Sequence, residues 1–157
     1  MSYSIISVDE KKCVNCRMCE IVCSLSREGK VNPHLSRIKV YSFSSHTDVP
    51  VVCRQCADAP CKEACDYDAI SRRSDNAVVV SSERCTGCGL CVDACPFGAV
   101  FLHPQTNLAL MCDLCAGEPV CVKYCPVSCL NFIPWEKSIE AKEGSEKALY
   151  EKFAIKE

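Results

Sequence analysis

The sequence predicts an α+β chain in two pseudo-symmetric lobes, each wrapped from short hairpins and helices of one or two turns. Three observations carry that expectation. A group of closely spaced cysteines recurs four times along 157 residues, an internal repeat at irregular spacing. Segments that alternate polar and apolar residues follow the cysteine groups and are broken by turn residues, the pattern of two-stranded hairpins. The hydrophobic content of 48% includes 17 cysteines. The aliphatic core is therefore thin, and a chain of this size needs staples of another kind.

The elements follow in order. Residues 2–8 alternate and are β-rich, a strand leading into Cys13, Cys16, Cys19 and Cys23. Residues 24–30 extend a short helix that Gly29 ends, and Asn32-Pro33 is a turn. Residues 37–43 read as a strand, with a second at 49–52 across the turn Ser44-Ser45-His46. The second group is Cys53, Cys56, Cys61 and Cys65, its middle gap widened by Ala57-Asp58-Ala59-Pro60. A bulge stiffened by Pro60 absorbs the extra length. Residues 69–73 and 77–80 form a hairpin around Ser74-Asp75-Asn76. The third group is Cys85, Cys88, Cys91 and Cys95, followed by a hairpin of residues 99–102 and 108–111. The fourth is Cys112, Cys115, Cys121 and Cys125, and residues 130–133 form a last strand. From Trp135 onward the chain is charged and free of cysteine, with Leu149, Tyr150 and Phe153 at helical spacing. It reads as a peripheral helix or a frayed tail.

The third group shows why the spacing matters. Cys85-Thr86-Gly87-Cys88-Gly89-Leu90-Cys91-Val92-Asp93-Ala94-Cys95-Pro96 is C-x2-C-x2-C-x3-C-P, the run with which bacterial ferredoxins hold a 4Fe–4S cubane. Three thiolates lie on one tight loop, which Gly87 and Gly89 allow to turn. The fourth cysteine is expected to begin a short helix and to ligate the neighbouring cluster. Sixteen of the seventeen cysteines fall into four sets of four, which implies four 4Fe–4S clusters. Zinc ribbons do not crowd four sulfurs into so short a run. Haem attachment needs C-x-x-C-H, but Arg17, Ala57, Gly89 and Ala116 follow the pairs. No C-x3-C-x2-C run of a radical-SAM site is present. A cubane with four thiolates has no vacant iron, so its chemistry is one-electron transfer, and no catalytic residues are assigned.

Composition narrows the setting. Cysteine at this density means a secreted disulfide scaffold or a metal protein. Residues 1–13 carry no apolar signal core and no twin arginine, and no run reaches a membrane span. The expected location is the cytoplasm, where thiols stay reduced. Formal charge is −2 with thiols neutral, and each oxidised cubane adds about −2 more. With lysines and arginines scattered, nucleic acid is not an expected partner.

These four runs resemble the four-cluster polyferredoxin subunits of molybdenum- and tungsten-pterin oxidoreductases, such as those of dimethyl sulfoxide reductase and formate dehydrogenase. The likeness covers residues 13–133. The run Cys13-Val14-Asn15-Cys16-Arg17-Met18-Cys19-Glu20-Ile21-Val22-Cys23, with Asn32-Pro33 and Ser36-Arg37-Ile38, is similar to the small iron–sulfur partners of tungsten aldehyde oxidoreductases and class II benzoyl-CoA reductase. The resemblance implies a nested ligand pairing. Cys13, Cys16, Cys19 and Cys125 hold one cluster; Cys112, Cys115, Cys121 and Cys23 hold its neighbour. Cys53, Cys56 and Cys61 with Cys95, and Cys85, Cys88 and Cys91 with Cys65, hold the inner two. Residues 1–44 with 112–134 then form an outer ferredoxin-like lobe, 45–111 an inner one, and 135–157 a tail. The implied partners are a tungsten- or molybdenum-pterin catalytic subunit and a flavin subunit or ferredoxin. A free soluble polyferredoxin is the alternative. A reductase with its own active site lacks support, because no Gly-rich nucleotide loop is present.

Two departures stand out. Ser24 and Asp66 replace the proline after the fourth cysteine in the first two runs, which predicts altered helix geometry or cluster potential rather than a lost cluster. The brevity of the chain argues against a quinone-linked membrane partner. Cys129 reads as a small buried hydrophobe, and His34, His46 and His103 as solvated turn residues. Arg17 and Arg54 are read as surface residues that sit inside cysteine loops. Tyr150 and Phe153 either anchor on a partner or cover the body.

Overall fold

The computed structural model describes residues 3–44 and 47–140. The described residues form four two-stranded antiparallel sheets, five α-helices and three short 3-10 helices. Strand β1 (Ser4–Val8) pairs with the last described strand, β8 (Leu130–Pro134), from Ser4 opposite Pro134 to Val8 opposite Leu130. Helix α5 (Trp135–Glu140) packs against both strands, and the Trp135 ring stacks on Tyr3 with centroids 5.5 Å apart. With cover on both faces, Ile5 and Ile6 are each fully buried despite pointing to opposite sides.

Helix α1 (Met18–Glu28) buries Cys19, Glu20, Cys23 and Ser24, a stripe at four-residue spacing. It stops at Gly29, whose left-handed backbone lets its N–H reach the Leu25 carbonyl at 2.9 Å. The three expected hairpins are present. They are β2 (Ile38–Ser44) with β3 (Thr47–Val52), β4 (Ile70–Arg72) with β5 (Val78–Val80), and β6 (Phe101–Leu102) with β7 (Ala109–Leu110). Helices α2 (Pro60–Glu63), α3 (Leu90–Asp93) and α4 (Val120–Lys123) are single turns.

The helices differ from expectation in where they begin. Each of α1 to α4 begins one residue before the third cysteine of its run, not at the fourth. In the last three runs the fourth cysteine follows the helix end. Among these four helices only α1 continues through its fourth cysteine, Cys23, where the next residue is Ser24. Proline there would cost the helix an N–H and a clash. The second run also lacks proline, yet α2 stops at the same place as its proline-bearing counterparts. Asp68, Gly98 and Ser128, each three residues past a fourth cysteine, share a left-handed turn with φ of 49°, 57° and 51°. The change in helix geometry is thus confined to the first run.

Cysteine makes up a large part of two buried clusters. One joins Ile6, Ile38, Val40, Val52 and Leu130 to Cys19, Cys23, Cys53, Cys112, Cys121 and Cys129. The other joins Ile70, Val78, Val100 and Met111 to Cys61 and Cys91. No helix among the described residues is long and apolar enough to cross a membrane. Leu149, Tyr150, Phe153 and His46 lie outside the described residues.

Candidate metal centres

Backbone handedness shapes each cysteine loop. Gly87 and Gly89, on either side of Cys88, have φ of 73° and 85°. A Cβ on Gly87 would stand 2.7 Å from the Asn107 carbonyl oxygen, so glycine is required there. The same two places in the first run are Asn15 and Arg17 (φ 53° and 55°), and in the fourth Leu114 and Ala116 (φ 58° and 56°). Gln55 (φ 54°) is the second run's equivalent of Gly87. Residues with side chains rarely adopt this conformation, and it persists only where surroundings hold it. Gln55 is held most firmly. It is fully buried, its Oε1 accepts from the Val78 N–H at 2.7 Å, and its Nε2 donates to the Cys112 carbonyl at 2.8 Å.

The loops bring together sulfurs from different runs. Cys85, Cys88 and Cys91 line a cavity with Cys65, about 340 Å³ of space partly open to solvent. Cys53, Cys56 and Cys61 line a second, also about 340 Å³, with Cys95. Cys13, Cys16 and Cys19 line a third of about 290 Å³ with Cys125, and Cys129 joins them. Cys23 shares a buried cluster with Cys112 and Cys121, and its charge adds to the burial that raises the pKa of both and of Cys115. Similar influences run between sets, from Cys19 to Cys121, Cys53 to Cys112, and Cys61 to Cys91. Neighbouring sets therefore lie close together, in the two buried clusters that hold Cys19, Cys53 and Cys112, and Cys61 and Cys91. Cys16 and Cys88, each in a different set, are the exposed cysteines.

Thiol chemistry fits a metal cluster. Burial pushes Cys19, Cys53 and Cys121 up to about 12 and Cys91 to about 11. Such thiols keep their protons until a metal displaces them. All seventeen cysteines are free of disulfides. Quartets of soft sulfur suit zinc or an iron–sulfur cluster. No three His, Cys, Asp or Glu side chains among the described residues converge as ligands of a single ion. The sulfurs instead surround a space, which suits a polynuclear group. Main-chain donors already point at them: Arg37 N–H to Cys23 Sγ at 3.3 Å, Ala99 N–H to Cys95 Sγ at 3.4 Å, and Ala109 N–H to Cys85 Sγ at 3.4 Å.

Residues 45–134, more than half of the chain, match the family described as 4Fe-4S dicluster domain, and residues 10–28 match a 4Fe-4S binding domain. The chain belongs to the 4Fe-4S dicluster domain family. This dicluster-domain protein is 44% identical over 87 residues to the polyferredoxin-like subunit of aliphatic sulfonate oxidoreductase from Pyrococcus furiosus, covering 55% of this chain and 50% of that one. It is 38% identical over 96 residues to electron transport protein HydN of Escherichia coli, at 55% and 52% coverage. The iron-sulfur subunit of formate dehydrogenase from Wolinella succinogenes is 31% identical over 86 residues, at 53% and 43%. The chain spans about half the length of these curated relatives. A solved chain from the BamBC active-site complex of benzoyl coenzyme A reductase, in complex with 1,5-dienoyl-CoA, superimposes with a TM-score of 0.53. It shares 24% identity and the match covers 95% and 96% of the two chains, a likeness of fold alone. The chain thus carries 4Fe–4S binding domains across most of its cysteine-bearing region.

Several neighbours of the sulfurs escape sequence reasoning. Glu20 is buried beside Cys19. Its Oε1 accepts from the Val40 N–H at 2.9 Å, and its Oε2 lies 3.8 Å from Arg17 Nη1. Arg17 is exposed, as expected. Arg54 is not a plain surface residue: it is half-buried, with its guanidinium 5.7 Å from the Phe97 ring centroid in the wall of the second cavity. His34 is exposed, but His103 is half-buried and its Nδ1 accepts from the N–H groups of Gln105 and Thr106, each at 3.2 Å, which pins the β6–β7 turn. Cys129 is buried as expected, but its thiol lies 3.5 Å from Cys125 Sγ.

Proposed function

We propose that this protein is a non-catalytic subunit that relays single electrons through four 4Fe–4S clusters. They run between a tungsten- or molybdenum-pterin catalytic subunit and a second redox subunit or protein, such as a flavin subunit or ferredoxin, in the cytoplasm. The observation that carries the reading is the grouping of sulfurs across runs: three from one loop and the fourth from another, with neighbouring sets sharing buried clusters. In this assignment Cys13, Cys16, Cys19 and Cys125 hold the cluster at one end, and Cys65, Cys85, Cys88 and Cys91 the cluster at the other. Cys112, Cys115, Cys121 and Cys23 hold one of those between, and Cys53, Cys56, Cys61 and Cys95 the other.

Each bound cluster supplies a one-electron couple with no open iron. The chain's own work is spacing and insulation. Buried loops keep adjacent sets close, and main-chain N–H groups stabilise charge on the sulfurs. Exposed Cys16 and Cys88 bring the two end sets to the surface, where a partner's redox centre can approach. A pterin-enzyme partner is supported by the relatives named as oxidoreductase subunits.

Affinity purification under anoxic conditions tests the reading. The expected result is co-purification with a polypeptide that contains tungsten or molybdenum by elemental analysis. The relative named as an electron transport protein favours a second reading, a diffusible polyferredoxin. That reading predicts a lone, iron-loaded chain on size exclusion.

A further inference from the structure

We propose that Cys129 is a positioning residue whose thiol donates to the Cys125 sulfur and raises the reduction potential of that one cluster. The inference rests on the assignment of Cys125 as a ligand above.

The internal repeat isolates the feature. After Cys65, Cys95 and Cys125 the chain makes the same left-handed turn at Asp68, Gly98 and Ser128. It then buries the next residue: Ala69 (2% exposed), Ala99 (1%) and Cys129 (4%). Alanine fills this position twice, so packing does not require a sulfur there. In the third copy the extra atom joins the wall of the cavity lined by Cys13, Cys16, Cys19 and Cys125.

Two donors from Cys129 meet one acceptor. Its N–H lies 3.3 Å from Cys125 Sγ, the counterpart of the Ala99 N–H at 3.4 Å from Cys95 Sγ. Its own Sγ lies 3.5 Å from Cys125 Sγ. The backbone donor is thus common to two copies and the thiol is the addition. Between the two sulfurs the direction is fixed by chemistry: an iron-bound thiolate carries no proton, so the S–H belongs to Cys129. Reduction adds negative charge that spreads onto the ligand sulfurs. A donor on one of them therefore favours the reduced state. Cys125 keeps the ligand role because it occupies the position of Cys65 and Cys95 in the repeat.

The test compares anaerobically reconstituted holoprotein with its Cys129→Ala and Cys129→Ser variants, in redox titrations followed by electron paramagnetic resonance, with iron counted in each. Cys129→Ala is expected to leave iron content unchanged and to lower a single midpoint. The reduction equilibrium of that cluster should weaken about three- to fivefold, the scale of one neutral hydrogen bond. Cys129→Ser retains a donor and should recover part of the shift. Infrared spectra of the unaltered holoprotein should contain a hydrogen-bonded S–H stretch that Cys129→Ala removes. This band decides the matter even if the alanine variant loads poorly. Unmoved midpoints, a missing S–H band, or loss of one cluster's iron from Cys129→Ala with normal loading elsewhere would each overturn the proposal; the last would make Cys129 a ligand. Iron-free wild-type protein would instead overturn the cluster assignment itself.

Discussion

Gln55 and Cys112 are joined by a buried hydrogen bond of 2.8 Å from the Gln55 amide to the Cys112 carbonyl. The same side chain accepts from Val78 N–H at 2.7 Å. One glutamine thus ties the loop of the second run to the first ligand of the fourth and to the β4–β5 hairpin. Gln55→Ala would leave a buried donor and a buried acceptor unpaired, at roughly 1–3 kcal/mol each. The variant is expected to lose about 2–6 kcal/mol of stability in denaturant titration and to release iron faster to a chelator. Wild-type resistance on both counts would show that the tie does not hold the two loops together.

Glu20 places a carboxylate beside Cys19 in an environment that excludes water. Its negative charge opposes the addition of an electron nearby, and Arg17 at 3.8 Å offsets it only from the exposed side. Glu20→Gln keeps the acceptor for Val40 N–H and removes the charge. One midpoint should rise by an amount on the order of tens of millivolts, where 59 mV is a tenfold change for one electron. Arg17→Gln should move the same midpoint downward by less, since solvent screens that guanidinium. Equal potentials in Glu20→Gln and wild type would exclude an electrostatic role for this residue.

Much of this architecture is legible in the sequence because cysteine spacing and hairpin alternation are local signals. The three hairpins, the helix stop at Gly29 and the strands at both ends of the cysteine region follow from neighbouring residues alone. The pairing of β1 with β8 does not, since it joins segments over a hundred residues apart by ordinary strand hydrogen bonds. The left-handed residues divide the same way. Gly87 and Gly89 announce the loop and Asn15 is compatible with it, while Arg17, Gln55 and Leu114 adopt it under tertiary constraint and carry no sequence mark. Arg54 reads as a surface charge until Phe97 is found against it. Cys129 had a signal, its alignment with Ala69 and Ala99, but only once the turn after each fourth cysteine is seen to repeat.

Loading with iron should be strongly pH-dependent. Burial raises Cys19, Cys53 and Cys121 from about 9 to about 12, so a metal must displace a tightly held proton from each. In the metal-free folded chain the raised values favour the neutral thiol. That contribution to stability is complete below pH 9 and is lost as pH rises toward 12. Metal binding has the opposite dependence, gaining about tenfold per pH unit for each proton released. At limiting iron and sulfide, cluster absorbance formed at pH 9 should exceed that at pH 7. Loading that is flat across this range would mean the thiols are already ionised in the apoprotein.

The crossed ligand sets make a prediction about pairs of substitutions. If each cluster draws its fourth thiolate from another run, then Cys65 and Cys88 serve one cluster, while Cys65 and Cys56 serve two. Each serine substitution alone should remove or convert one cluster, from a total of about sixteen iron per chain for four cubanes. The double variant Cys65→Ser with Cys88→Ser should lose no more iron than either alone, because both changes strike the same site. Cys65→Ser with Cys56→Ser should lose about twice as much. Uncrossed runs would reverse the two results, the pair within one run then costing a single cluster. Since staples of this kind also hold the fold, each variant is compared by iron per folded chain after size exclusion, so that collapse of the whole protein is not counted as loss of one site.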